Sequence, residues 1–273
     1  MAVTMADIQH LRKMTGAGMM DCKNALNEAD GDFDKAMEII RKKGQAVAAK
    51  REDREASEGC VLATTDGEFA AVVALQCETD FVAKNEEFIA LTRQILDAAI
   101  AHKPGTLDEL LAVELPNGTV SQLITDKIGA TGEKMQLGFY EYLTAPYVAS
   151  YIHMGNKLAT IVGFNKVVTN EQVARDIAMQ VAAMNPIAVT PEGIPTEVKE
   201  KELEIAREKA REAGKPENLL DRIAEGALQK FYKESTLLQQ EYVKDAKKSI
   251  EQFLKENDKE LAVTGFKRVT LNV

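Results

Sequence analysis

Apolar residues recur at helical spacing through residues 4–44, switch to alternation after Cys60, and exchange these two periods to the chain's end. Thr4 is placed to cap a first helix, with Asp7 as its capping-box partner and Ile8, Leu11 and Met14 on its stripe. A second helix over 19–29 sets Met19, Cys22, Ala25 and Leu26 on one face. Asp32 starts a third with Phe33, Ala36, Met37 and Ile40 inward, which Gly44 is expected to stop. Residues 45–58 are Ala-rich and then densely charged, and read as a solvated linker that can be helical.

Residues 60–65 and 68–77 predict two strands joined at Asp66-Gly67, a two-residue hairpin signal. Asn85 then caps a helix whose buried stripe is Phe88, Leu91, Ile95, Leu96 and Ala99. Helical pieces at 107–113 and 120–128 lead to a third strand at 133–143. The same order recurs: strands at 148–153 and 158–164 around Gly155-Asn156, a helix from Thr169 or Asn170, and a closing strand at 263–273. Into this second copy a strongly charged helix, 196–213, is inserted. A turn at Gly214-Lys215-Pro216 and an apolar stripe from Leu219 to Phe231 follow it, which predicts a projecting antiparallel hairpin. The expected fold is α+β. A three-helix module (1–44) and a linker (45–58) precede two core subdomains (59–144 and 145–273), the second carrying the hairpin at about 196–233.

Between the second strand and the Asn85 helix lies a corner formed by Thr79, Asp80, Phe81 and Val82. Large apolar residues are odd at such a tip, where Gly, Ser, Asn or Pro would be ordinary. Either Phe81 staples the helix entry with Asp80 as a cap, or the corner is a wedge offered to another molecule. Asn85 is the better cap, which leaves Asp80 and Phe81 outside the helix. Met19 and Met20 point to different faces, so one of them lies outside the small bundle's core and suits an adaptable contact.

Composition narrows the chemistry. At 45% apolar and 28% charged the 273 residues are globular in make-up, and a net charge of −9 argues against a dedicated nucleic-acid binder. Three cysteines and three dispersed histidines lack ligand spacing, so no metal or cofactor is expected. No nucleotide-loop or hydrolase motif is present. Cys77 near Asp80, with His153 elsewhere, sketches a thiol site, but a Cys ending a buried strand is far more often core. The N-terminus has no signal-like apolar core, and no run is long enough to span a membrane, so a cytoplasmic, reduced setting is expected.

The segments GAGMMDCKNAL (16–26), GDFDKAMEIIRKKG (31–44), CETDFVAKNEEF (77–88) and YIHMGNKLATIVG (151–163), with VTGFKRV near the end, together resemble the elongation factor Ts family. The resemblance spans essentially the whole chain. It implies a non-enzymatic factor that binds elongation factor Tu, GDP-bound and nucleotide-free, and promotes GDP release, with no direct nucleic-acid or membrane contact. By this similarity Thr79, Asp80, Phe81 and Val82 intrude on the partner's Mg²⁺ site, with Phe81 as the apolar wedge. Met19, Met20 and Lys23 belong to a docking module resembling ubiquitin-associated folds. His153 makes a further contact near the nucleotide, and the 196–233 hairpin corresponds to the family's coiled coil. The resemblance departs at the end: long members continue into a C-terminal helical module, whereas this sequence ends at Val273, which puts any contact made by such a module in question. A non-catalytic scaffold using the three-helix module and the hairpin is the alternative.

Overall fold

A computed structural model of the chain describes residues 3–271. It opens with α1 (Met5–Thr15), α2 (Met19–Glu28) and α3 (Phe33–Lys50), which enclose a small core of Ile8, Leu11, Cys22, Ala25, Leu26 and Ala36. The expected caps form. Thr4 Oγ1 accepts from Asp7 N at 3.2 Å while Asp7 Oδ2 accepts from Thr4 N at 2.9 Å, and Asp32 accepts from the amides of Asp34 and Lys35. One boundary differs from the sequence pattern. Gly44 does not stop α3, which runs through it to Lys50. Gly44 is buried against a later helix at Gly129, where a Cβ on Gly129 would sit 2.7 Å from Gly44 Cα. The glycine serves a close helix crossing, not a C-cap.

Two sheets of identical topology follow. β1 (Glu58–Asp66) and β2 (Phe69–Cys77) form a hairpin whose loop is Gly67-Glu68, one residue later than the pattern suggested, because Asp66 pairs with Phe69. Next come α4 (Asp80–Ala83), α5 (Glu86–His102), α6 (Leu107–Leu111), the two-residue strands β3 (Glu114–Leu115) and β4 (Gly118–Thr119), and α7 (Val120–Thr131). β5 (Met135–Thr144) then joins β2 on its free edge, giving the order β1-β2-β5. β6 (Tyr147–Ile152), β7 (Leu158–Phe164) and the later β10 (Val263–Thr270) repeat that order, with β7 central. Residues 272 and 273, the end of the expected last strand, lie outside the described residues.

Between β7 and β10 the chain builds α8 (Glu171–Met184), then α9 (Thr196–Glu212) packed along α10 (Leu220–Ser235). Of these two arms only Ala210, Leu220 and Ala224 are buried. The thin seam matches a pair of helices that stands largely in water. A short hairpin of β8 (Glu241–Tyr242) and β9 (Asp245–Ser249), and α11 (Ile250–Asn257), were not legible in the sequence. The hairpin is fastened to α8 by Asp176, which accepts from the Tyr242 hydroxyl at 2.6 Å and from Lys244 Nζ at 2.7 Å.

Three apolar layers result. Phe88, Ile95, Leu96 and neighbours on α5 to α7 cover one face of the first sheet. Ile177, Val181 and α11 cover the outer face of the second. Between them the sheets meet through Val61, Ala63, Ala70, Val72, Ala74, Ala145, Ala159 and Ile161. β2 is therefore buried on both faces, which its unbroken apolar run required. Ile161→Ala, at a fully buried position in the inter-sheet layer, is expected to lower unfolding free energy by about 2–5 kcal/mol, read from the urea midpoint.

Candidate functional site

The corner after β2 is built by local capping and held from a distance. Thr79 is extended, and its hydroxyl oxygen accepts from Val82 N at 3.4 Å, starting the single turn of α4. Asn85 Oδ1 then accepts from Glu87 N at 2.8 Å and Phe88 N at 3.4 Å to start α5, as its position predicted. Thr79 is itself pinned by Glu133, which takes its amide at 3.1 Å and its hydroxyl at 2.6 Å. Glu78 beside it accepts from Lys134 N at 2.6 Å and from Arg51. Val82 packs against the core and Ala83 is buried, so the corner is gripped on both sides of Phe81.

Phe81 itself is 84% exposed. It is no staple, and Asp80 is no N-cap: Thr79 and Asn85 take the capping positions. The Asp80 carboxylate instead receives Lys84 Nζ at 2.6 Å, and that hydrogen bond and charge hold its pKa below the ordinary carboxylate value. Because the backbone beneath this ring is already held, covering it costs side-chain ordering but little backbone ordering.

The β6–β7 turn stands at the same end of the stacked sheets. Its Asn156 carbonyl accepts from Val61 N at 2.7 Å and Lys157 pairs with Glu58, which lies opposite Cys77 in the β1–β2 register. His153 is exposed, with its Nδ1 3.1 Å from the Tyr151 hydroxyl, and Met154 next to it is 90% exposed. Met19, Met20 and Lys23 are exposed on α2, which packs on α1 and α3. The structure thus brings Thr79 to Val82 and His153 to one end, and leaves the α2 residues on the N-terminal three-helix bundle. Glu133, Glu78 and Lys84, which hold the corner, had no recognisable signal in the sequence. Met154 did: an apolar residue in a tight turn is as anomalous as Phe81.

The thiols are inert in this setting. Cys60 and Cys77 are fully buried, and burial raises their pKa values to about 11 and about 12. Cys77 donates to Thr79 O at 3.3 Å, while His153 faces Tyr151. Among the described residues no cluster of His, Cys, Asp or Glu is arranged to hold a metal, and no helix is long and apolar enough to cross a membrane.

Two turns at one end of the stacked sheets offer the apolar side chains of Phe81 and Met154 to water, as surfaces that meet other molecules do. Comparison with known proteins places the chain in a family. The family described as Elongation factor TS matches residues 78–272. Elongation factor Ts of Porphyromonas gingivalis is 66% identical over 273 residues, covering 100% of this chain and 99% of that protein. The Azobacteroides pseudotrichonymphae protein of the same name is 56% identical over 100% of both chains. That of Bacteroides fragilis is 50% identical with 99% of each covered. The chain belongs to the elongation factor Ts family and has the role of a translation elongation factor.

Glu133→Ala is expected to reduce hydrogen-exchange protection at the Thr79 amide by at least about tenfold, since a hydrogen bond to a charged acceptor contributes roughly 1.5–3 kcal/mol. Protection at Ile161 should not move. The thiols predict a pH effect of defined sign. Folding raises both pKa values above the ordinary 9.0, so the folded chain keeps protons that the unfolded chain releases. Their contribution is complete below pH 9 and is lost as pH rises toward 11–12. Cys60→Ala combined with Cys77→Ala should flatten the decline in the urea midpoint across that window.

Proposed function

We propose that the chain is a guanine-nucleotide exchange factor, a binder rather than an enzyme. It engages elongation factor Tu in its GDP-bound and nucleotide-free states and speeds GDP release. The single observation that carries this reading is Phe81, exposed on a corner pinned by Glu133. In it, Thr79, Asp80, Phe81 and Val82 enter the partner beside its Mg²⁺–nucleotide site. The Phe81 ring wedges apart partner elements that support Mg²⁺ coordination, and the Asp80–Lys84 pair supplies a polar flank. His153 and Met154, at the same end of the stack, press on a neighbouring part of the partner. Met19, Met20 and Lys23 dock the N-terminal helices, read as a module resembling ubiquitin-associated folds. The α9–α10 pair is read as the family's coiled-coil hairpin.

Exchange is a matter of differential binding. A factor that prefers the nucleotide-free partner weakens GDP by the same free energy, and it shifts nothing if it binds both states equally. The reading is tested with purified elongation factor Tu carrying labelled GDP. Phe81→Ala is expected to slow stimulated release by roughly 30-fold, the equivalent of a 2 kcal/mol hot spot. Its urea midpoint should stay near wild type, because the ring contributes little to the core. Release as fast as wild type from a normally folded Phe81→Ala protein rejects the wedge. No stimulation by wild type rejects exchange altogether.

A further inference from the structure

We propose that α3 is a rigid strut that fixes the N-terminal helices relative to the 79–82 corner, with Gly44, Gly129, Arg51 and Glu78 as its positioning residues. The inference rests on the exchange reading for its functional consequence, but not for its geometry.

The helix carries the N-terminal core at one end and reaches the corner at the other. Its 18 residues span about 27 Å at the helical rise. Along the way it crosses α7 at the Gly44–Gly129 contact, where a Cβ on Gly44 would meet Thr125 O at 3.1 Å. Arg41, one turn before, donates to Asn117 O at 3.3 Å and pairs with Asp126. Val47 and Ala48, one turn after, pack against the core behind the first sheet. At the far end, Arg51 Nη1 lies 3.2–3.3 Å from both Glu78 oxygens, and Lys134 Nζ donates to Glu52 O at 2.6 Å. Glu78 and Lys134 are the immediate neighbours of Thr79 and Glu133, the pair that pins the corner. Fastenings of different kinds, a backbone-close crossing, an ion pair and a lysine–carbonyl bond, thus hold a segment of which residues 45–52 read in the sequence as part of a solvated linker that can be helical.

A rigid link between two contact surfaces makes the second contact effectively intramolecular, at a concentration set by the link's geometry. Loosening the strut should therefore raise the factor concentration needed for half-maximal GDP release, while the maximal rate, set by an intact corner, persists. Substitution by Ala suits the test, because Ala is the better helix former, so any loosening comes from the crossing.

The experiment pairs structure with kinetics. Spin labels at Asn24→Cys on α2 and Asp97→Cys on α5, both exposed, report the distance distribution between the two bodies; the native thiols are buried and do not label. Wild type should give a narrow distribution. Gly44→Ala with Gly129→Ala, and separately Arg41→Ala, which removes a tie between α3 and α7 away from the corner, should broaden it and raise the half-saturating concentration at least about tenfold, with maximal release within about twofold. Arg41→Ala keeps the test open where the glycine pair fails to fold. A wild-type distribution as broad as that of the variants overturns the strut. So does a broadened distribution with unchanged half-saturation. Wild type that stimulates no release rejects the exchange reading instead, and the distance measurement then judges the strut by itself.

Discussion

The contact between the two sheets decides how everything else is presented. Small side chains line it: Ala63, Ala70, Ala74, Ala145 and Ala159. Gly163 belongs to the same constraint, since a Cβ there would come within 2.8 Å of both Ala145 Cβ and Thr264 Oγ1. With the central β2 buried on both faces and the register fixed from Glu58 to Phe69, neither sheet can slip without exposing a full row of apolar residues. That rigidity puts the end of β2 and the β6–β7 turn side by side. The separation between Phe81 and His153–Met154 is then a property of the core and not of the loops.

The corner extends this constraint by one more step. A strand end is normally the place where order fades, yet here Thr79 is tied to Glu133 and Glu78 to Lys134 and Arg51. The ties come from the loop before β5 and from the end of α3, so two distant parts of the chain converge on one residue pair.

Legibility followed the range of the interaction. Thr4, Asp32 and Asn85 were readable, and Asn170 as one of two candidates, because a cap and its amides lie within three residues. The buried stripe of α5 was readable because its period is local, and the anomaly of Phe81 was visible as composition alone. Gly44 misled because a glycine that permits a helix crossing looks the same in sequence as one that ends a helix; Gly129, its partner, is 85 positions away. Glu133 reaches Thr79 across 54 positions and Arg51 reaches Glu78 across 27, so neither pairing leaves a local trace. β8 and β9 were hidden because their strands are polar and short. They are held not by their own pattern but by Asp176 and Gln180 on α8.

If Phe81 acts as the wedge proposed above, its burial alone is not enough. Covering a Phe side chain completely contributes roughly 1.5–3 kcal/mol. An exchange factor that speeds release by about 10³-fold needs about 4 kcal/mol of preference for the transition state of release. Phe81 falls short of that by itself, and only the part of its burial that differs between the two partner states counts. On the exchange proposal, the remainder is assigned to contacts at the His153–Met154 turn and on α2. Contacts spread over separate bodies add fully only when little order is lost on binding. On that proposal, a stacked-sheet core that fixes one pair of contacts, and an α3 strut that fixes the third, is the arrangement the requirement favours.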